Sequence, residues 1–395
     1  MTVLTGNKST NMKNIFYIFV FLVTWASTAQ TAMYHQASMQ FHDGSEVGFH
    51  TSFINDAPFD QNLGAVGFYG SNFLNIDGSV TPVFYDFEID NDHGVFLSTS
   101  TSVENNVTFT FGDIITNKTN PDITFTLLEN ANYIGESSLS KVDGYMEVLN
   151  KNSYDFPVGE ENKLRPIIVN SENINLINKA AYFFENPNSP VSFSKIFDTS
   201  DADRQIDGIS RAEFWSLEGS ENSTVILSWD VDSNITSLTD VLENLLVIGF
   251  SKENQEWEIL GNTAVSGDVE TIGSITSGAF IPDDYEVITF GSLLVPQDRL
   301  TIPNFFLSPN GDGINDALVV EEMEDSADNE LKIYNREGSL VFQQANYTNE
   351  FVGVANTNNF VIQKESGLPA GVYFYVINLY DLGYEFQGFL YLSQE

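Results

Sequence analysis

Along most of this chain apolar residues come in short runs or strict alternation, and few segments show the three- and four-residue spacing of an amphipathic helix. Between residues 33 and 150 the runs recur on a steady beat, at 64–69, 83–89, 94–97, 107–111 and 123–127. Asn105-Asn106 and Gly112-Asp113 punctuate them as corners. Short strands at regular spacing suit a solenoid, in which each coil buries its face on the next. A plain sandwich is the alternative, and the beat favours the solenoid.

Pro157 and Gly159 break the pattern, and Arg165-Pro166-Ile167-Ile168-Val169 restarts it. Alternating runs then follow at 209–215, 224–230, 245–250, 256–262 and 286–291. They predict an antiparallel β-sandwich over residues 151–298, with Trp215, Trp229 and Trp257 in its core and one short helix within 236–244. Residues 295–299 read as a linker.

The last domain, 299–395, opens on a turn-dense stretch, Ser308-Pro309-Asn310-Gly311-Asp312-Gly313-Ile314-Asn315-Asp316. Pro309 fixes one φ angle, the glycines free others, and the Asn and Asp side chains can bond their own backbone. A hairpin pattern follows in KIYNREGSLVF (332–342), then LPAGVYFYVI (368–377) and GFLYL (388–392). Short aromatic and β-branched runs between Gly, Asn and Pro predict a small sandwich.

These four blocks, in this order, resemble the gliding-motility-associated C-terminal domain of Bacteroidetes, the type B sorting domain of type IX secretion. The resemblance implies an Ig-like β-sandwich that addresses the chain to the type IX machinery. It implies sorting roles for Pro309, Asn310, Gly311, Asp312, Gly313, Asn315, Asp316, Gly371 and Tyr373. The chain departs from the family at Glu337, where an aromatic is usual, and at Phe351-Val352-Gly353, where a Trp-Asp-Gly-like turn is usual. It also ends on Gln394-Glu395, where many members end on a basic residue. Upstream, residues 31–150 resemble the leader region of Bacteroidetes surface adhesins. VDGY (142–145), FPVG (156–159), Arg165-Pro166 and ISRAEFW (209–215) resemble a succession found in the same surface proteins.

Met12-Lys13-Asn14, the apolar run 15–25 and the small residues before Gln30 describe a secretory signal peptide. The run is short for a bilayer span, and the mature chain is expected to begin near Gln30 or Thr31. Residues 1–30 are thus upstream sequence plus signal peptide. Cysteine is absent, so no disulfide staples the fold and stability must come from packing and sheet ladders. Against 55 acidic residues stand 16 Lys and Arg, for a net charge of −39. That field repels phosphate backbones and disfavours nucleic acid as a partner. The acidic residues are scattered, as on a solubilising surface.

Candidate chemistry is sparse. No nucleophile elbow, Walker loop, zincin motif or dinucleotide fingerprint occurs. Any histidine-based site must draw on His35, His42, His50 or His93, and their spacing fits no helical or hairpin ligand pattern. Asp86 and Glu88 share a strand face, as Asp230 and Asp232 would if their strand ran on, but so many acids make any pair uninformative. Calcium is the more plausible ion: Asn310, Asp312, Asn315 and Asp316, with the Ile314 carbonyl, set hard oxygens on a Gly-rich turn. Asp201, Asp203 and Asp207 form a looser set. The same side chains suit a turn that satisfies its own backbone, and that reading, with no cofactor, is the favoured one. The expectation is an all-β, non-enzymatic protein at the cell surface or outside the cell. It would be exported by type IX secretion and act in adhesion or gliding motility. Partners would be the secretion machinery, other surface adhesins, or glycans. A carbohydrate-binding or carbohydrate-active module on the same export domain is the alternative.

Overall fold

The structure, a computed structural model, describes residues 32–294, 300, 302, 305–321, 323, 326–357 and 367–393. The expected signal peptide and the linker 295–299 lie outside these residues. The regular structure is almost entirely strand, with four short 3-10 turns among the described residues. The chain forms two compact units: residues up to 201 with 210–236 and 246–290, and residues 202–209 and 237–245 with 291–395.

The first unit begins as a two-sided parallel solenoid. One sheet stacks Ala32–His35, Ser52–Asn55, Leu74–Asp77, Val95–Leu97, Ile114–Thr116 and Val142–Asp143. The other stacks Glu46–Phe49, Ala65–Gly70, Val83–Asn91, Thr101–Phe111, Phe125–Leu127 and Met146–Phe156. Successive coils set like on like: Phe49 lies opposite Phe68, Phe68 opposite Ile89 and Ile89 opposite Phe109. The Phe49 and Phe68 rings stack at 5.1 Å, and those of Phe68 and Phe87 at 5.3 Å. Each ring contributes about 1.5–3 kcal/mol by leaving water, which is how a cysteine-free solenoid holds its coils.

Corners are tied by asparagine and glycine. The Asn62 side chain receives the Phe41 N–H at 3.0 Å and donates to the Val83 carbonyl at 2.9 Å. Gly112 has φ +84°, and a Cβ there would fall 1.9 Å from the Asn91 carbonyl oxygen. Only glycine closes that corner. Asn105-Asn106, expected as a corner, instead lies inside the continuous strand Thr101–Phe111, where it makes a bulge against Val83–Asn91. A bulge re-aims side chains without ending the strand, and in sequence the two look alike.

Strand Met146–Phe156 ends the solenoid and begins the sandwich. It runs parallel to Phe125–Leu127 on one side and antiparallel to Ile167–Phe183 on the other. The boundary expected near residue 150 therefore falls within a continuous strand. Ile167–Phe183, 17 residues long, pairs through its first part with Ser223–Trp229 and through its second with Phe214–Glu218. The 16-stranded sheet branches at this strand. Trp215, Trp229 and Trp257 are buried, as the alternation predicted. In place of one helix within 236–244, the chain makes two 3-10 turns, Ile235–Ser237 and Leu242–Asn244.

In the second unit, residues 305–393 build one five-stranded sheet. Its order is Phe306–Leu307, Tyr384–Leu392, Gly371–Leu379, Asn329–Asn335, Leu340–Ala345. The expected hairpin is present, and its turn is held by Asn335, whose Oδ1 accepts the amides of Glu337 (3.1 Å) and Ser339 (2.8 Å). Leu331, Ile333, Ile377, Leu390 and Leu392 line the inner face. Among the described residues, irregular segments carrying Leu318, Val320, Met323, Tyr347 and Phe351 supply the layer against it. A second regular sheet was expected there.

Candidate functional site

The expected sorting loop is built almost wholly by its own side chains. Asp316 lies at its far end, and its two carboxylate oxygens accept the amides of Asn310 (2.9 Å), Gly311 (2.8 Å) and Gly313 (2.7 Å). Asn310 Oδ1 accepts the Asp312 amide at 3.0 Å, and Asp312 Oδ1 accepts the Ile314 amide at 2.8 Å. Gly311 and Gly313 have φ near +80°, and Asn315 has φ +55°, so the chain coils around one carboxylate. The amides of Gly311 and Gly313 hold Asp316 below the usual carboxylate range. Donors converging on an anion describe a self-satisfied turn; a calcium loop turns its oxygens inward on a cation.

Of the other residues expected to serve sorting, Tyr373 is held by the fold. Tyr373 is nearly buried and donates its hydroxyl to the Pro369 carbonyl at 2.8 Å, closing the turn before its own strand. A Cβ on Gly371 would meet nothing within 4 Å. At the departure from the family turn, Phe351 is fully buried, and a Cβ on Gly353 would fall 2.8 Å from Leu392 and 3.2 Å from Pro309. Core packing thus fixes the base of the loop while its tip stays exposed.

The histidines are not brought together. His35 is buried, with Nδ1 2.5 Å from Asn55 Oδ1 and its ring against Phe53 and Phe59. His42, His50 and His93 are exposed. Among the described residues, no three His, Asp or Glu side chains are placed to hold a metal ion. Asp230 and Asp232 share no strand face, because the strand ends at Trp229. Asp230 caps the turn Val231–Ser233, and Asp232 pairs with Lys163. Asp203 accepts the Gln205 amide in a turn of its own.

Asp86 and Glu88 do share a face, the outer face of the larger solenoid sheet. There they help line an open groove of about 670 Å³ with Glu46, Tyr69 and Asn105. Gly48 and Gly67 form its floor, and the Tyr69 ring lies so close over Gly67 that a Cβ would fall 2.0 Å from it. Tyr69 donates to Glu88 at 2.7 Å, Thr110 donates to Glu88 at 3.1 Å, and Asn105 donates to Asp86 at 2.7 Å. Burial, with Glu88 and nearby acids adding to it, pushes the Tyr69 hydroxyl up to about 12.

Sequence reading missed the buried charges. Lys141 is fully buried and reaches both Asp113 oxygens, at 3.0 and 2.9 Å, and the Glu161 carbonyl at 2.5 Å. Lys118 bridges Asp143 (2.8 Å) and Glu160 (2.7 Å). In the sandwich Arg165 pairs with fully buried Glu213 at 3.1 Å and also with Asp230, while Tyr182 donates to Glu213 at 2.5 Å. Trp215 Nε1 closes the group on the Arg165 carbonyl at 3.1 Å. Burial pushes Glu213 upward, and Arg165 opposes it. The available signal was the scarcity of cations: Lys141, Arg165 and Glu213 fall in or beside the VDGY, RP and ISRAEFW blocks.

Residues 300–392 match the CHU_C type IX secretion signal domain. Comparison of the chain with curated proteins and with solved structures returned no match. The chain therefore carries a C-terminal type IX secretion signal domain, which implies export to the cell surface or the extracellular space and an encounter with the type IX machinery. No helix among the described residues is long and apolar enough to cross a membrane.

Proposed function

We propose that this is a non-enzymatic cell-surface protein whose solenoid and sandwich act in adhesion or gliding motility once residues 300–392 have carried it through the outer membrane. The signal-domain match is the observation that carries the reading. Its support upstream is chemical: three carboxylates in buried or groove-lining positions are engaged in holding the fold. Glu213 is locked to Arg165 and Tyr182, Glu88 to Tyr69 and Thr110, and Asp113 to Lys141. Pro309 and the glycines of the 308–316 loop serve to shape it, with its exposed tip and packed base. Deleting 300–392 tests the reading by whole-cell protease shaving. Loss of the surface-exposed form is expected, and undiminished display would overturn it.

One observation favours a second reading, a glycan-binding module on the same export domain. The solenoid groove sets an aromatic ring beside carboxylate and amide groups, the mix that hydroxyl-rich ligands use. The buried tryptophans offer no stacking platform. Glycan-array binding by the full chain that Tyr69→Ala abolishes would establish this reading, and an array with no signal would remove it.

A further inference from the structure

A strand with one face on a core and one in water alternates apolar with polar, whereas a continuous apolar run marks a strand covered on both sides. Two inner strands of the terminal sheet are of the second kind over part of their length, with polar Gln387 and Glu385 beyond it on the same outer face. Gly371–Leu379 reads GVYFYVINL and Tyr384–Leu392 ends in GFLYL. Their inner positions pack on the core described above, yet their outer positions are bare. Val372, Phe374, Phe389 and Tyr391 are 43%, 47%, 59% and 44% exposed. Register makes this one surface: Phe374 lies opposite Phe389 and Val372 opposite Tyr391. The edge strand extends it, with Phe306 opposite Tyr391 and their rings stacked at 5.7 Å, while Phe305 stacks on Phe389 at 6.3 Å. None of the six is charged, in a chain with 55 acidic residues. The outer face of the solenoid sheet, with Glu46, Asp86 and Glu88, shows what a solvated face of this protein looks like.

We propose that this aromatic face of the terminal sheet is the surface on which the type IX apparatus seats the chain, and that the partner presents an uncharged, apolar protein groove. The proposal rests on reading 300–392 as the export signal, because the whole face lies within the matched segment. A contiguous bare apolar surface marks an interaction site, and aromatic anchors carry most of the energy of such contacts. A second copy is the poorer occupant, since two chains of net charge −39 repel one another. The Asn310–Asp316 loop, whose polar groups are turned on themselves, then stiffens one end of the domain and is not the surface that is read.

The test is export of the full chain carrying Phe374→Thr and Phe389→Thr, in which threonine keeps the strand preference and removes the rings. The surface-displayed fraction should fall about tenfold or more, as when anchor residues are lost, with the protein retained in the periplasm and its melting temperature unchanged. The Leu double variant at the same positions should be displayed nearly as the wild type. Should the Thr pair melt early, Phe306→Thr with Tyr391→Thr tests the neighbouring row on the same terms. Wild-type display of a folded Thr variant overturns the proposal, including the case in which light scattering shows that the variant has lost a dimer. Deletion of 300–392 separates the two claims: if it blocks display while the folded Thr variant passes, the face is wrong and the export reading stands.

Discussion

The solenoid and the sorting loop are both rich in turn residues, but different parts of the chain hold their turns. In the solenoid a corner can lean on the neighbouring coil, as Gly112 does on the Asn91 carbonyl. In the loop Asp316 gathers amides three to six residues away, all from the loop's own backbone. Turn-rich composition therefore says little about what a turn depends on. A corner that leans on its neighbours fails with them; one closed on itself can be carried intact at the end of a chain.

Substitutions can break this contrast, and Arg165→Met should have the largest effect. It leaves Glu213 buried without its cation and should cost about 3–5 kcal/mol in the first unit. Trp215, Trp229 and Trp257 all belong to that unit, so tryptophan fluorescence during denaturation reads it directly. Next come the glycines. Gly112→Ala should add an overpacking cost of about 1–3 kcal/mol to the roughly 1–2 kcal/mol of left-handed backbone. Gly311→Ala, where a Cβ meets nothing within 4 Å, carries the backbone cost alone. Equal losses at the two sites, measured by chemical denaturation, would erase the distinction.

Acid should divide the units by sign. Burial, with Glu136 adding to it, pushes Asp155 up to about 6. A carboxyl raised above its unfolded value of about 3.9 favours the folded state as it takes up its proton. The fluorescence midpoint of the first unit should rise as pH falls from 7 toward 5, and Asp155→Asn should blunt that rise. Burial would raise Glu330 too, but donors from Lys332, Tyr380 and Gln343 together push it down to about 2. Its contribution is complete above the unfolded value of about 4.3 and fades as pH falls toward 2. Faster hydrogen exchange along residues 371–392 at pH 3 than at pH 5, after correction for intrinsic rates, would show it. The smallest expected effect is calcium: with amides filling the Asp316 carboxylate, melting should be the same in excess chelator and in millimolar Ca²⁺. A shift of several degrees would restore the calcium loop.

Patterns of period two and their regular recurrence were legible, so the all-β class, the solenoid beat and the tryptophan core could be read from the sequence. Strand-internal asparagines could not be told from corners, because a bulge and a turn use the same residues. The Arg165–Glu213 pair escaped because its members lie far apart in the chain, and among 55 acids no single glutamate stands out. The loop residues were found by type and order, but not the direction in which their oxygens point. GVYFYVI was read only as a strand; its excess of apolar positions was already a statement about both faces.

Strand Ile167–Phe183 has one more implication. Because it pairs with two strands of the sandwich and also clasps the last strand of the solenoid, no cut near residue 150 yields two whole pieces. A boundary drawn through it would strip the last solenoid strand and the strands of the sandwich of a shared pairing partner.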